Sequence, residues 1–333
     1  MSLSRITEGL RVGVLVLLAA FVVLGVVMFR NAQTAAQDAQ RQRDLDTIKA
    51  SLATAPPAPA LPAGLPSDPD NKRYQYRSDG TNFVACATLE RFGQRRAYFA
   101  TRTGTFRADA RYCDPLIEPA IATLVTDTGM TDRSIPVFLE SRPRIADKET
   151  IKRECSGSGE KVAVYGCYDE EGKIWILQVT DPGLAGLTTV AAIHELLHAV
   201  QLRTPPDYAL LEAQARKLND PLLNEELSLY TPEERASELH TRLGTEYATL
   251  DPPVEAVYTP LFDRAAVSAR YQPYASLLRE IQSLKTQIGT RRARLDQLER
   301  QGNVAAYNAQ VDPYNELVRR YNRLADRYNL ITE

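Results

Sequence analysis

The chain has three histidines, His194, His198 and His240, and the first two enclose the pentapeptide His194-Glu195-Leu196-Leu197-His198. No other feature restricts the fold as strongly. On a helix, two imidazoles at i and i+4 sit a turn apart on one face and can hold a cation between them. The flanking sequence supports that helix: Leu187 to Val200 is an unbroken run of helix-compatible residues, with a Thr as N-cap candidate and a stop before Pro205-Pro206. Glu195, next to the first histidine, falls beside the open position of a bound metal, where it can serve as general base for hydrolysis by an activated water. A catalytic Zn²⁺ site needs three protein ligands, so the fold must bring one more from elsewhere.

Thr231-Pro232-Glu233-Glu234-Arg235-Ala236-Ser237-Glu238-Leu239-His240 opens a second helix, with Thr231 as N-cap, Pro232 at the first helical position and acids in the first turn as dipole partners. Glu233 lies on the stripe Glu233, Ala236, His240, Leu243, Tyr247, which has the spacing of an inward face. An acid there is costly unless a cation pairs it, so Glu233 is the first candidate for third ligand. His240 shares the face and is the alternative, as a ligand, a hydrogen-bond donor or a satisfied core histidine. Glu234 and Glu238 fall off the stripe and remain as further candidates.

These residues resemble the gluzincin group of zinc metallopeptidases, in which His-Glu-x-x-His supplies two ligands and a Glu on a later helix, often within Glu-x-x-Ala-Asp, supplies the third. Glu233-Glu234-Arg235-Ala236-Ser237 matches that pattern with Ser in place of Asp. The resemblance covers roughly residues 113–250. It implies Zn²⁺ on His194, His198 and Glu233, Glu195 as base, a peptide or protein substrate, and an edge strand at Lys173–Val179 that pairs with extended substrate.

The 44% hydrophobic and 25% charged content of the 333 residues suits one or two packed domains. Forty Lys plus Arg against forty-two Asp plus Glu leave a net charge of −2, without the basic excess that a nucleic-acid surface needs. No phosphate-cradling Gly-rich loop occurs either. Residues 12–29, between Arg11 and Arg30, carry no charge and no proline and read as a transmembrane helix acting as a signal-anchor. Residues 1–11 then form a short cytoplasmic tail, and the bulk of the chain is extracytoplasmic on a single-pass anchor in the cell membrane. Four cysteines without a Cys-x-x-Cys pair point the same way. Two disulfides are the simplest use, and loop closure favours Cys86 with Cys113 and Cys155 with Cys167.

After the span, 30–71 reads as a juxtamembrane helix and a Pro-rich linker, and 72–110 as a small β module with strands near Tyr74–Tyr76, Phe83–Ala87 and Ala97–Phe99. The apolar helix, Arg43-Asp44-Leu45-Asp46-Thr47-Ile48, Leu65-Pro66-Ser67-Asp68-Pro69, Tyr74-Gln75-Tyr76, Ser78-Asp79-Gly80 and Cys86-Ala87-Thr88-Leu89-Glu90 together resemble bacterial type IV pilin-like proteins. The prepilin cleavage sequence is absent, so the likeness is one of architecture. Region 111–250 is the zincin-like domain: a helix over Pro115–Leu124, then strand-like runs at Ile135–Leu139, Lys161–Tyr168 and Lys173–Val179, the last two forming a hairpin around Asp169–Gly172.

Region 251–333 reads as a helical hairpin. Leu277, Ile281, Leu284, Ile288, Leu295 and Leu298 mark one face, Gly302-Asn303 makes the turn, and Tyr-Asn pairs at 307, 314, 321 and 328 recur with a coiled-coil heptad. Pro313 should interrupt the second helix. This arm packs on the enzyme domain, binds a protein partner or self-associates. The expected class is α+β, with an N-terminal transmembrane helix, a small β module, a zincin-like domain and a helical arm. The expected activity is zinc metallopeptidase, and the competing class is a pilin-like structural or adhesive surface protein with a structural metal site.

Overall fold

The computed structural model describes residues 3–53, 57–70, 74–91, 95–156 and 165–332; side chains are described from residue 18 onward, without those of 19, 233 and 330–332. Among the described residues are eleven α-helices, a short 3-10 turn and two small sheets, a mixed α/β architecture. The chain divides into two compact units, 1–126 and 127–333.

The first unit is built on α1 (Leu3–Leu52) and an antiparallel meander of β1 (Gln75–Ser78), β2 (Phe83–Leu89), β3 (Arg96–Thr101) and β4 (Thr105–Asp109), in that order across the sheet. Asp38, Arg41, Leu45, Ile48 and Leu52 lie at helical spacing on one side of α1 and are all buried. Leu45, Ile48 and Leu52 close on Tyr74, Phe83, Ala85, Ala87 and Ala100; the alanines let the helix lie close to the sheet. Arg41 is held by Asp38 at 3.1 Å, Asp68 at 2.9 Å, Asp70 at 2.7 Å and Glu90 at 2.9 Å. Cys86 on β2 is bridged to Cys113 across a Cα separation of 5.9 Å.

The expected transmembrane helix over 12–29 is overturned. No helix among the described residues is long and apolar enough to cross a membrane. Arg11 and Arg30 confine the apolar run of α1 to 12–29, just under the ~20 residues that a span typically requires. The expected class is corrected accordingly to mixed α/β without a spanning helix, and the single-pass, extracytoplasmic location that rested on that span is withdrawn.

After α2 (Pro119–Asp127), the second unit runs α3 (Ser134–Glu140), β5 (Arg144–Ala146), α4 (Lys148–Glu154), β6 (Gly166–Tyr168), β7 (Ile174–Leu177), α5 (Gly186–Gln201), α6 (Tyr208–Leu218), α7 (Pro221–Leu227), α8 (Pro232–Thr245), α9 (Pro252–Tyr258), α10 (Arg264–Arg300) and α11 (Val304–Thr332). The strand-like run at Ile135–Leu139 is instead α3, since a short apolar run carries no period that separates strand from buried helix. β6 and β7 pair antiparallel, with Cys167 opposite Trp175, and Cys155 at the end of α4 is bridged to Cys167. The first part of the expected strand, 161–164, lies outside the described residues.

The sheet order is β5-β7-β6, with β5 parallel to β7. β7 is therefore the central strand, not the edge strand expected at Lys173–Val179. The short segment Arg144–Ala146 covers its other side, and among the described residues β6 takes the edge beside α5.

Helix α5 is buried almost all round, as an apolar helix without a polar face must be. It packs on β6 and β7 and against α3, α8 and α10. Its N-terminus has no side-chain cap. Thr188 bonds the end of β7 instead: its hydroxyl donates to Leu177 O and accepts from Val179 N, both at 3.0 Å. The hairpin of α10 and α11 turns at Gln301–Asn303, and Pro313 lies inside α11 without breaking it, because packing along α10 offsets the lost hydrogen bond. The far end of α11 is tied down by Arg327 to Asp181 at 2.8 Å, Lys148 Nζ donating to Asn329 O at 2.7 Å, and Tyr328 stacked on Tyr274.

Candidate metal centre

His194 and His198 project from one face of α5 as the i, i+4 spacing requires, their ring centroids 5.0 Å apart. Helix α8 crosses beside them. It comes close because Gly244 has no side chain: a Cβ there would meet Leu197 Cδ1 at 2.6 Å and the Tyr258 ring at 2.8 Å. That approach brings in Glu238, whose Oε1 lies 3.3 Å from His198 Nε2 and whose Oε2 lies 3.6 Å from His194 Nε2. The ligand atoms of His194, His198 and Glu238 all fall within 4.8 Å of one another, close enough to hold one metal ion.

The other acid candidates have different places. The side chain of Glu233 lies outside the described residues. Glu234 closes a capping box with Thr231: its Oε2 accepts from Thr231 N at 3.0 Å, and Thr231 accepts from Glu234 N. His240 is 1% exposed and stacks on Tyr258 at 5.4 Å, with burial first and then His198 pushing its pKa down to about 3. Glu238 opens the stretch over which α8 is buried on every side, Glu238 to Thr245.

These groups suit a cation. Burial pushes the His194 imidazole down to about 3, overriding the pull of Glu238. Burial also works against charge on Glu238, but His198, His194 and Arg242 outweigh it and hold the carboxyl well below the usual range. Neutral imidazole and ionised carboxylate are the states in which these residues ligate metals. Two ring nitrogens and one carboxylate oxygen leave a coordination position open.

The surroundings fix the ligands. Ser237 Oγ lies 2.9 Å from His198 Nδ1, and Gln201 Nε2 lies 3.2 Å from the same nitrogen and also contacts Ser237. A His198 that offers Nε2 to a cation carries its proton on Nδ1 and donates it to Ser237, which sets the ring's orientation. Gln201 is three residues beyond His198, so its place was readable from helical spacing.

Glu195 is 2% exposed and lies against β6, where Gly166 permits the contact: a Cβ there would collide with Trp175 O and meet Glu195 Oε1 at 3.1 Å. Nothing in the sequence marked Gly166. Glu195, His194, Gly166, Val190 and Tyr271 help line a cavity of about 40 Å³, room for about one to three waters. Its floor carries Arg242, whose Nη1 donates to Glu226 at 2.5 Å and Glu246 at 3.2 Å. Burial raises the Glu246 carboxyl to about 7 against the opposing guanidinium.

No protein-family model, curated protein or solved structure matches the chain. Read from Glu238, the sequence Glu238-Leu239-His240-Thr241-Arg242 also departs from Glu-x-x-Ala-Asp, with a guanidinium where that pattern has a carboxylate.

Proposed function

We propose that the chain is a zinc-dependent peptide hydrolase of gluzincin type, with His194, His198 and Glu238 as metal ligands and Glu195 as general base. One observation carries the reading: two imidazoles and a buried carboxylate converge within 4.8 Å, and the acid that follows the first histidine lines the cavity beside them. Mixed nitrogen and oxygen donors with one open position suit Zn²⁺, which when bound supplies Lewis acidity and lowers the pKa of water.

The chain's own residues do the rest. Glu195 takes the proton of the attacking water and passes it to the leaving amine. Gly166 and the strand that carries it hold Glu195 in place, and Ser237 holds His198. Val190, Ala191 and Tyr271 form an apolar and aromatic lining that limits bulk water. As an edge of its sheet next to Glu195, β6 is the strand that an extended peptide pairs with.

The test uses the full chain: zinc per chain is measured, and hydrolysis of unstructured peptides is assayed with Glu195→Gln beside the parent. The variant should keep its zinc and lose turnover by on the order of 10²- to 10⁴-fold. Zinc bound by both, with equal and negligible turnover, would leave a metal site that only stabilises a structural protein.

A further inference from the structure

Glu238 Oε2 and Arg242 Nε, 3.8 Å apart on successive turns of α8, are both buried and both lack hydrogen-bond partners among the described residues. Their side chains are 5% and 9% exposed. A buried donor and a buried acceptor left unsatisfied are each destabilising. The guanidinium is not free to turn away, because Glu226 on α7 and Glu246 at the end of α8 hold Nη1 from the opposite side.

A carboxylate has two oxygens. One that gives a single oxygen to a cation shared with His194 and His198 leaves the other in need of a donor, and ligand carboxylates generally find one. We infer that Arg242 is a positioning residue for the third ligand, its Nε–H taking the Glu238 oxygen that the cation does not use. This rests on the reading of His194, His198 and Glu238 as the metal centre. The chain from Glu226 and Glu246 through Arg242 to Glu238 then fixes the rotation of the carboxylate, as Ser237 fixes that of His198.

Arg242→Lys separates geometry from charge. It keeps a cation beside Glu226 and Glu246 but loses the planar fork that reaches them and Glu238 together. Metal-stripped full chain is titrated with Zn²⁺ against a chromophoric chelator, and with Co²⁺ by its visible absorption. Arg242→Lys should bind both ions about 10- to 100-fold more weakly and alter the Co²⁺ bands, a signature that a merely structural role would not move.

Glu226→Gln, which relaxes the clamp but keeps Arg242, should show a smaller loss. The double variant should be no weaker than Arg242→Lys, since both act through one guanidinium. Arg242→Lys that binds within about twofold of the parent, with the same Co²⁺ bands, overturns the inference. Should Arg242→Lys not fold, unchanged affinity and bands in Glu226→Gln do so. A parent chain that binds neither ion removes the metal-centre reading itself.

Discussion

Glu246 carries the clearest pH consequence of any single residue. Its carboxyl stands at about 7 in the folded chain against an ordinary 4.5, because burial outweighs the attraction of Arg242. The folded state therefore holds a proton that the unfolded state has released between those values. Stability from this group is full below about 4.5 and is lost as pH rises through 7. In denaturant melts of metal-stripped protein, Glu246→Gln, which cannot ionise, should gain on the parent by on the order of 2–3 kcal/mol between pH 4.5 and 8. A difference that stays flat with pH would show that Glu246 titrates normally. At the same scale, the His-Glu-x-x-His pentapeptide was fully legible, since two imidazoles at i and i+4 share one face of a helix. The approach of Glu238 to them was legible only as one candidate among several. Stripe counting assumes that one side of a helix faces water, and Glu238 sits where α8 is enclosed on all sides.

At the scale of elements, β6 and α5 depend on each other through Gly166. A methyl at that position meets the Trp175 carbonyl on one side and Glu195 on the other. Gly166→Ala should cost about 1–3 kcal/mol by overpacking and lower turnover by displacing Glu195. Cation affinity should hold, because its ligands come from α5 and α8. Stability in urea, Zn²⁺ titration and kcat together check this; a variant with parental stability would mean that the strand yields.

The β6–β7 hairpin was readable from its turn, Asp169 to Gly172, and the two cysteine pairings from their sequence separations. That β7 is central rather than marginal was not readable. Its second partner is only three residues long and arrives from before α4, and no local signal announces so short a parallel pairing. The terminal hairpin was visible in its leucines and its Gly302-Asn303 turn. The continuity of α11 through Pro313 was hidden, because it depends on α10 alongside.

At the scale of the whole molecule, every residue assigned to the metal centre lies within 127–333, the second compact unit, which also contains its Cys155–Cys167 bridge and the α10–α11 hairpin. A fragment of 127–333 should therefore fold and bind Zn²⁺ with the affinity of the full chain, as measured by circular dichroism and metal titration. A fragment that folds but binds no ion would place a missing determinant in the first unit.

Thirty-nine residues lie between His198 and Glu238, and α6 and α7 fill that gap without contributing to the His194, His198 and Glu238 cluster. Lengthening or trimming the excursion leaves the ligand geometry intact so long as α8 returns to the same groove. The step from Glu238 to Arg242 has no such freedom, since one turn of helix sets it. A distant cousin of this chain would be recognised by an acid and an arginine four places apart, at any distance downstream of the paired imidazoles.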